Sequence, residues 1–168
     1  IKATRILGID PGTNVLGYAV IEVFQKHVRL IGIGTLRMNK DFSQPQKLKQ
    51  IFEGVQEMII KFKPQIMAIE APFYGNNVQS MLKLGRAQGV SIAAAMNRDV
   101  EVFEYAPKKI KQSITGNGNA AKEQVSAMLE QILKVSLKEQ PLDATDGLAT
   151  AVCHYFQSSS VLGSGKKY

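Results

Sequence analysis

Apolar residues open the chain in strand-like runs. Ile6-Leu7-Gly8-Ile9 stops at Asp10, Val15–Ile21 is rich in β-formers, and the segment from Val28 alternates with glycines. This pattern predicts strands at about 4–9, 16–24 and 28–37. The period then changes. Leu48, Ile51, Phe52, Val55, Met58, Ile59 and Phe62 recur at helical spacing, and Pro64 ends the helix they predict. Ile66-Met67-Ala68-Ile69 reads as a short buried strand that stops at Glu70. Residues 78–97 predict a helix rich in glycine and alanine, which admits a close neighbour, either the sheet or a partner subunit. Val100–Tyr105 is a fifth strand, Lys108–Ile114 a short basic helix, and Thr115–Asn119 a turn. Val125, Met128, Leu129, Ile132 and Leu133 share one face of the next helix. Pro141 precedes a last helix that packs through Leu148, Ala151, Val152, Tyr155 and Phe156. The expected organisation is one domain over 1–157 and a flexible Ser/Gly/Lys-rich tail over 158–168.

Composition narrows the class. The chain has 168 residues and is 45% hydrophobic, enough for one domain with a substantial core. No apolar run reaches the ~20 residues that span a bilayer. The absence of a signal-peptide pattern and a single cysteine, Cys153, suit a reducing, cytoplasmic setting. Cys153 lies among apolar residues and reads as core filling. Net charge is +7, from 21 basic against 14 acidic residues, compatible with a polyanionic partner. Lys108, Lys109 and Lys111 cluster with Lys122 across the Gly/Asn turn.

Candidate chemistry lies with four acids. Asp10 and Glu70 each end a buried strand, at the sheet rim where α/β folds place ligands. Asp143 and Asp146 stand three residues apart at the start of the last helix and share a face. Simpler readings exist. Asp10-Pro11-Gly12 also suits a hairpin turn, and Asp143 and Asp146 suit an N-cap and a helix-dipole acid. With only two histidines, neither suitably placed, the ligand set is all carboxylate, which favours Mg²⁺ with Mn²⁺ as substitute. Without a cation, four clustered carboxylates would repel and some would protonate. Two such ions about 3.5–4 Å apart suit phosphodiester cleavage. The element order fits an α/β, ribonuclease H-like fold, a five-stranded mixed sheet flanked by helices. In it the first and fourth strands are neighbours, bringing Asp10 to Glu70.

Over residues 5–157 the chain resembles the RuvC family of bacterial Holliday-junction resolvases. The resemblance rests on Ile6-Leu7-Gly8-Ile9-Asp10-Pro11-Gly12, Ala68-Ile69-Glu70, Leu84-Gly85-Arg86-Ala87-Gln88-Gly89-Val90 and Asp143-Ala144-Thr145-Asp146-Gly147-Leu148-Ala149. It implies a homodimeric endonuclease that makes paired, symmetric nicks in four-way DNA junctions during recombination and repair. Asp10, Glu70, Asp143 and Asp146 match the family's catalytic, metal-holding acids. Phe73 matches an aromatic that stacks on a base near the crossover, and Lys111 and Lys122 match lysines near the scissile phosphate. Tyr74 and Asn76 fall in the DNA-facing loop by position. The branch-migration proteins RuvA and RuvB are implied partners. The mechanism expected of the four acids is two-metal hydrolysis leaving a 5′-phosphate and a 3′-hydroxyl.

Three other readings compete. Asp10-x-Gly12-Thr13 also begins phosphate-binding turns in actin-like ATPases, which need a second domain for which the chain has no room. RNA-directed nucleases of the same fold share the first turn but lack the Phe73–Gly89 stretch. A non-catalytic DNA-binding module would have no use for four acids that repel DNA.

Overall fold

Strand parity decides which face of the sheet each side chain meets. The computed structural model describes residues 2–72, 75–159 and 166–167. Its elements run β1 (Thr4–Asp10), β2 (Val15–Phe24), β3 (His27–Arg37), α1 (Gln44–Phe62), β4 (Ile66–Glu70), α2 (Val78–Met96), β5 (Glu101–Tyr105), α3 (Pro107–Thr115), α4 (Lys122–Leu133), α5 (Leu142–Ser159) and β6 (Lys166–Lys167). The sheet order is β3-β2-β1-β4-β5-β6. β1, β2 and β3 pair antiparallel, whereas β4 runs parallel to both β1 and β5. The expected five-stranded mixed sheet is present, with β1 and β4 adjacent. The two-residue β6 adds an antiparallel edge beside β5, and α5 continues two residues past position 157.

Odd and even positions of the central strands feed two cores. Leu7 and Ile9 of β1, with Met67 and Ile69 of β4, pack on α1 and α2. Ile6, with Ala68 of β4, packs on the face covered by α3, α4 and α5. Asp10 and Glu70 share parity with these last residues, so both acids point toward the α5 face at the C-terminal rim. Cys153 is buried within that same core.

Local signals set the helix ends. Ser43 caps α1, its hydroxyl accepting the Gln46 N–H while Gln46 Oε1 accepts the Ser43 N–H. Lys63 closes α1 in a left-handed conformation, φ 51°, just before Pro64. Asn77 caps α2 through the Ser80 N–H. Asp143 is not the N-cap of α5. That helix begins at Leu142, and the Pro141 carbonyl already accepts the Thr145 N–H.

Close approach of α5 to the sheet depends on glycine. A Cβ on Gly17 would strike the Asp143 carbonyl, and one on Gly8 would strike the Gly147 carbonyl. One on Gly147 would lie 2.9 Å from the Tyr18 Cα. Gly17 is also the register partner of Asp10. The bare backbone opposite Asp10 is therefore what admits the first turn of α5, with its two acids, to the strand tip.

Candidate active site

Asp10, Asp143 and Asp146 each offer a carboxylate oxygen within 4.8 Å of the others, a spacing that one metal ion could bridge. β1 supplies the first and a single turn of α5 the other two. Glu70, at the end of β4, stands beside this triplet and shares a hydrogen bond with Asp10. All four line one cleft of about 500 Å³.

The cluster holds more negative charge than its surroundings solvate. Burial pushes the Asp10 carboxyl well above the usual carboxylate range, and Glu70, Asp146 and Asp143 raise it further. Burial also raises Glu70, although the hydrogen bond from Asp10 opposes it. Both shifts oppose full ionisation of the pair, and the bias toward the protonated form is the stronger at Asp10. Asp146 is raised by burial, against the pull of Lys122. The Lys122 Nζ donates to Asp146 Oδ2 at 3.0 Å, and that bond raises the lysine in turn. Lys111 lines the cleft and bears favourably on Glu70 and Asp146.

The structure thus gathers six of the nine predicted site residues in one cleft: the four acids, Lys111 and Lys122. Asn76 is exposed immediately before the α2 cap and does not line this cleft. Phe73 and Tyr74 lie outside the described residues. Sequence reasoning did not identify the rest of the cleft wall, which includes Pro107, Ile110, Val125, Leu142 and Ala149. A signal existed for part of it. Pro107 stands one helical turn before Lys111, and Ile110 and Leu142 directly precede Lys111 and Asp143.

Among the described residues, His27 and His154 stand apart from the acids. The Tyr105 hydroxyl and His154 Nδ1 lie 2.7 Å apart in the core, with the Phe103 ring 4.4 Å from the imidazole. This pair ties β5 to α5.

Comparison with known proteins follows the same geometry. The family of "Crossover junction endodeoxyribonuclease RuvC" matches residues 6–154. The chain belongs to the RuvC family. A Cytophaga hutchinsonii RuvC is 57% identical over 93% of this chain and 78% of its own length. A Porphyromonas gingivalis RuvC is 53% identical over 94% of this chain and 85% of its own. The structure of Thermus thermophilus RuvC in complex with Holliday junction substrate superposes with a TM-score of 0.89 at 30% identity. That match covers 98% of this chain and 99% of the other. A yeast mitochondrial Holliday junction resolvase, at 15% identity and a TM-score of 0.68, shares the RuvC-like fold. Among the described residues no helix is long and apolar enough to cross a membrane.

Proposed function

We propose that this chain nicks four-way DNA junctions by metal-assisted phosphodiester hydrolysis at Asp10, Glu70, Asp143 and Asp146. The observation that carries the reading is the convergence of three carboxylates within 4.8 Å, in a chain of the RuvC family. An all-oxygen donor set suits Mg²⁺, with Mn²⁺ as a substitute. The upward shifts at Asp10, Glu70 and Asp146 mark a site where added positive charge is favourable. Asp10, Asp143 and Asp146 would hold one cation, and Glu70 beside Asp10 would complete a two-ion site. Ions held there would supply a lowered pKa for an attacking water and positive charge beside the departing 3′ oxygen, chemistry that would give a 5′-phosphate and a 3′-hydroxyl.

The remaining work falls to the chain's own side chains. Glu70 keeps Asp10 oriented through their hydrogen bond. Lys122 neutralises Asp146 in the free protein, and would turn toward the phosphate to offset charge at phosphorus. Lys111 adds a second positive charge on the same side and helps seat the scissile phosphate. Family membership extends the proposal to a homodimer that places two such sites on opposing strands. It also supports DNA stacking by Phe73, contacts from Tyr74 and Asn76, partnership with RuvA and RuvB, and action in the cytoplasm.

The test is cleavage of an immobile four-way junction beside a matched linear duplex, each with Mg²⁺ and with EDTA. Paired nicks in opposing arms, in Mg²⁺ only and with duplex untouched, are the expected result. A junction left intact in Mg²⁺, or duplex cut at the same rate, would overturn the proposal.

A further inference from the structure

The cleft lining is chemically mixed. Beside the four acids, Lys111 and Lys122 it includes the apolar side chains of Pro107, Ile110, Val125, Leu142 and Ala149, and Leu142 stands one helical turn before Asp146 on α5. Ile110 and Val125 are 4% and 7% exposed and belong to the core, so each shows the cleft only an edge. Leu142 is different. It is 60% exposed at the first position of α5, so most of its side chain is left to solvent. An isolated exposed leucine would carry no information. This one lines the cleft and directly precedes Asp143, one of the acids proposed to hold the cleavage chemistry.

A nucleotide has the matching polarity. Its phosphate is charged, and its base offers an apolar face a few ångströms away. In continuous duplex both base faces are covered by neighbours, so none is free for Leu142. At the crossover of a four-way junction a base can lose one stacking neighbour. We infer that the exposed Leu142 side chain forms a subsite for the unstacked base flanking the scissile phosphate, and that filling it seats that phosphate among the acids. This inference rests on the junction-cutting reading above and adds a source of structure selectivity at the chemical step. Leu142 is then a positioning residue for the substrate.

A cycle between protein and DNA tests it. Single-turnover nicking would be measured for the wild type, Leu142→Ala and Leu142→Met. The substrates would be an intact junction and junctions carrying an abasic nucleotide on the 5′ or the 3′ side of the cut. Leu142→Ala should lose about tenfold in rate on the intact junction, the effect of withdrawing a few methylene-sized contacts. Leu142→Met should restore it. On one of the abasic junctions wild type and Leu142→Ala should converge to within about twofold, since the partner group is already gone. The thermal midpoint should not move, because the side chain is exposed. No loss on the intact junction, or the same loss on all three substrates, would overturn the inference while leaving junction cutting in place. A wild type that failed to nick the intact junction in Mg²⁺ would overturn both.

Discussion

Asp10 and Glu70 cannot both stay ionised at the rim of a buried strand pair without compensating charge. In the free protein burial, and then Glu70, Asp146 and Asp143, push the Asp10 carboxyl up, which favours its protonated form. Asparagine is close in shape to a protonated aspartate, and its amide can donate the same hydrogen bond. Asp10→Asn should therefore fold as well as the parent, or slightly better, when no divalent ion is present. It cannot supply a second anionic oxygen to a cation, so junction cutting should fall by at least about a thousandfold, the scale of losing one element of metal-assisted catalysis. Binding should survive, because the proposed DNA contacts are cationic and stacking ones and the variant adds no charge that repels phosphate. Paired gel-shift and cleavage assays on one preparation would check this. A variant that bound and cut like the parent would remove Asp10 from the chemistry.

At the scale of elements, the decisive contact is α5 on the sheet. Gly17 sits opposite Asp10 and leaves room for the Asp143 carbonyl. Gly17→Ala should lift the first turn of α5, costing about 1–3 kcal/mol in urea unfolding and weakening metal binding with it. A second tie is the Tyr105–His154 pair. Burial pushes His154 down to about 4 from an ordinary 6.5, so the folded protein keeps the imidazole neutral where the unfolded chain would charge it. Its contribution is complete above the unfolded value and is lost as pH falls from 6.5 toward 4. The loss is on the order of 3 kcal/mol, and His154→Gln should flatten that part of the stability profile measured by denaturant titration. Neither tie was legible in the sequence. Strands, helices and the two strand-tip acids announce themselves through period and punctuation over a few neighbouring residues. Gly17 meeting Asp143, and Tyr105 meeting His154, are pairings across long stretches of chain that no local pattern records. The N-cap reading of Asp143 failed because a helix start can lie one or two residues either way, and here the Pro141 carbonyl had already opened the helix.

At the scale of the whole molecule, one active site accounts for one nick, and symmetric paired nicks need two. The proposed homodimer has an available seam on α2. Val78, Leu82 and Met96 are large, apolar and exposed, and nothing lies within 4 Å of where a Cβ would stand on Gly85 or Gly89. Positions 78, 82, 85, 89 and 96 fall on one stripe at alternating spacings of four, three, four and seven, the seam of two packed helices. The small-residue content of this helix was visible in the sequence. Which neighbour it served was not, because glycine suits both sheet packing and subunit packing; the structure leaves Gly85 and Gly89 open on the side away from the sheet. Leu82→Glu would place a charge within the stripe without disturbing the core, since Leu82 is 53% exposed. Sedimentation should then show a monomer at micromolar concentration, whereas the parent should sediment as the proposed dimer. The same variant should retain its fold and its three convergent aspartates, yet release single nicked junctions in place of resolved duplex pairs. If Leu82→Glu stayed dimeric and still resolved junctions, the seam would lie on another face. If it became monomeric and still made coordinated nicks, pairing of sites would not depend on the dimer.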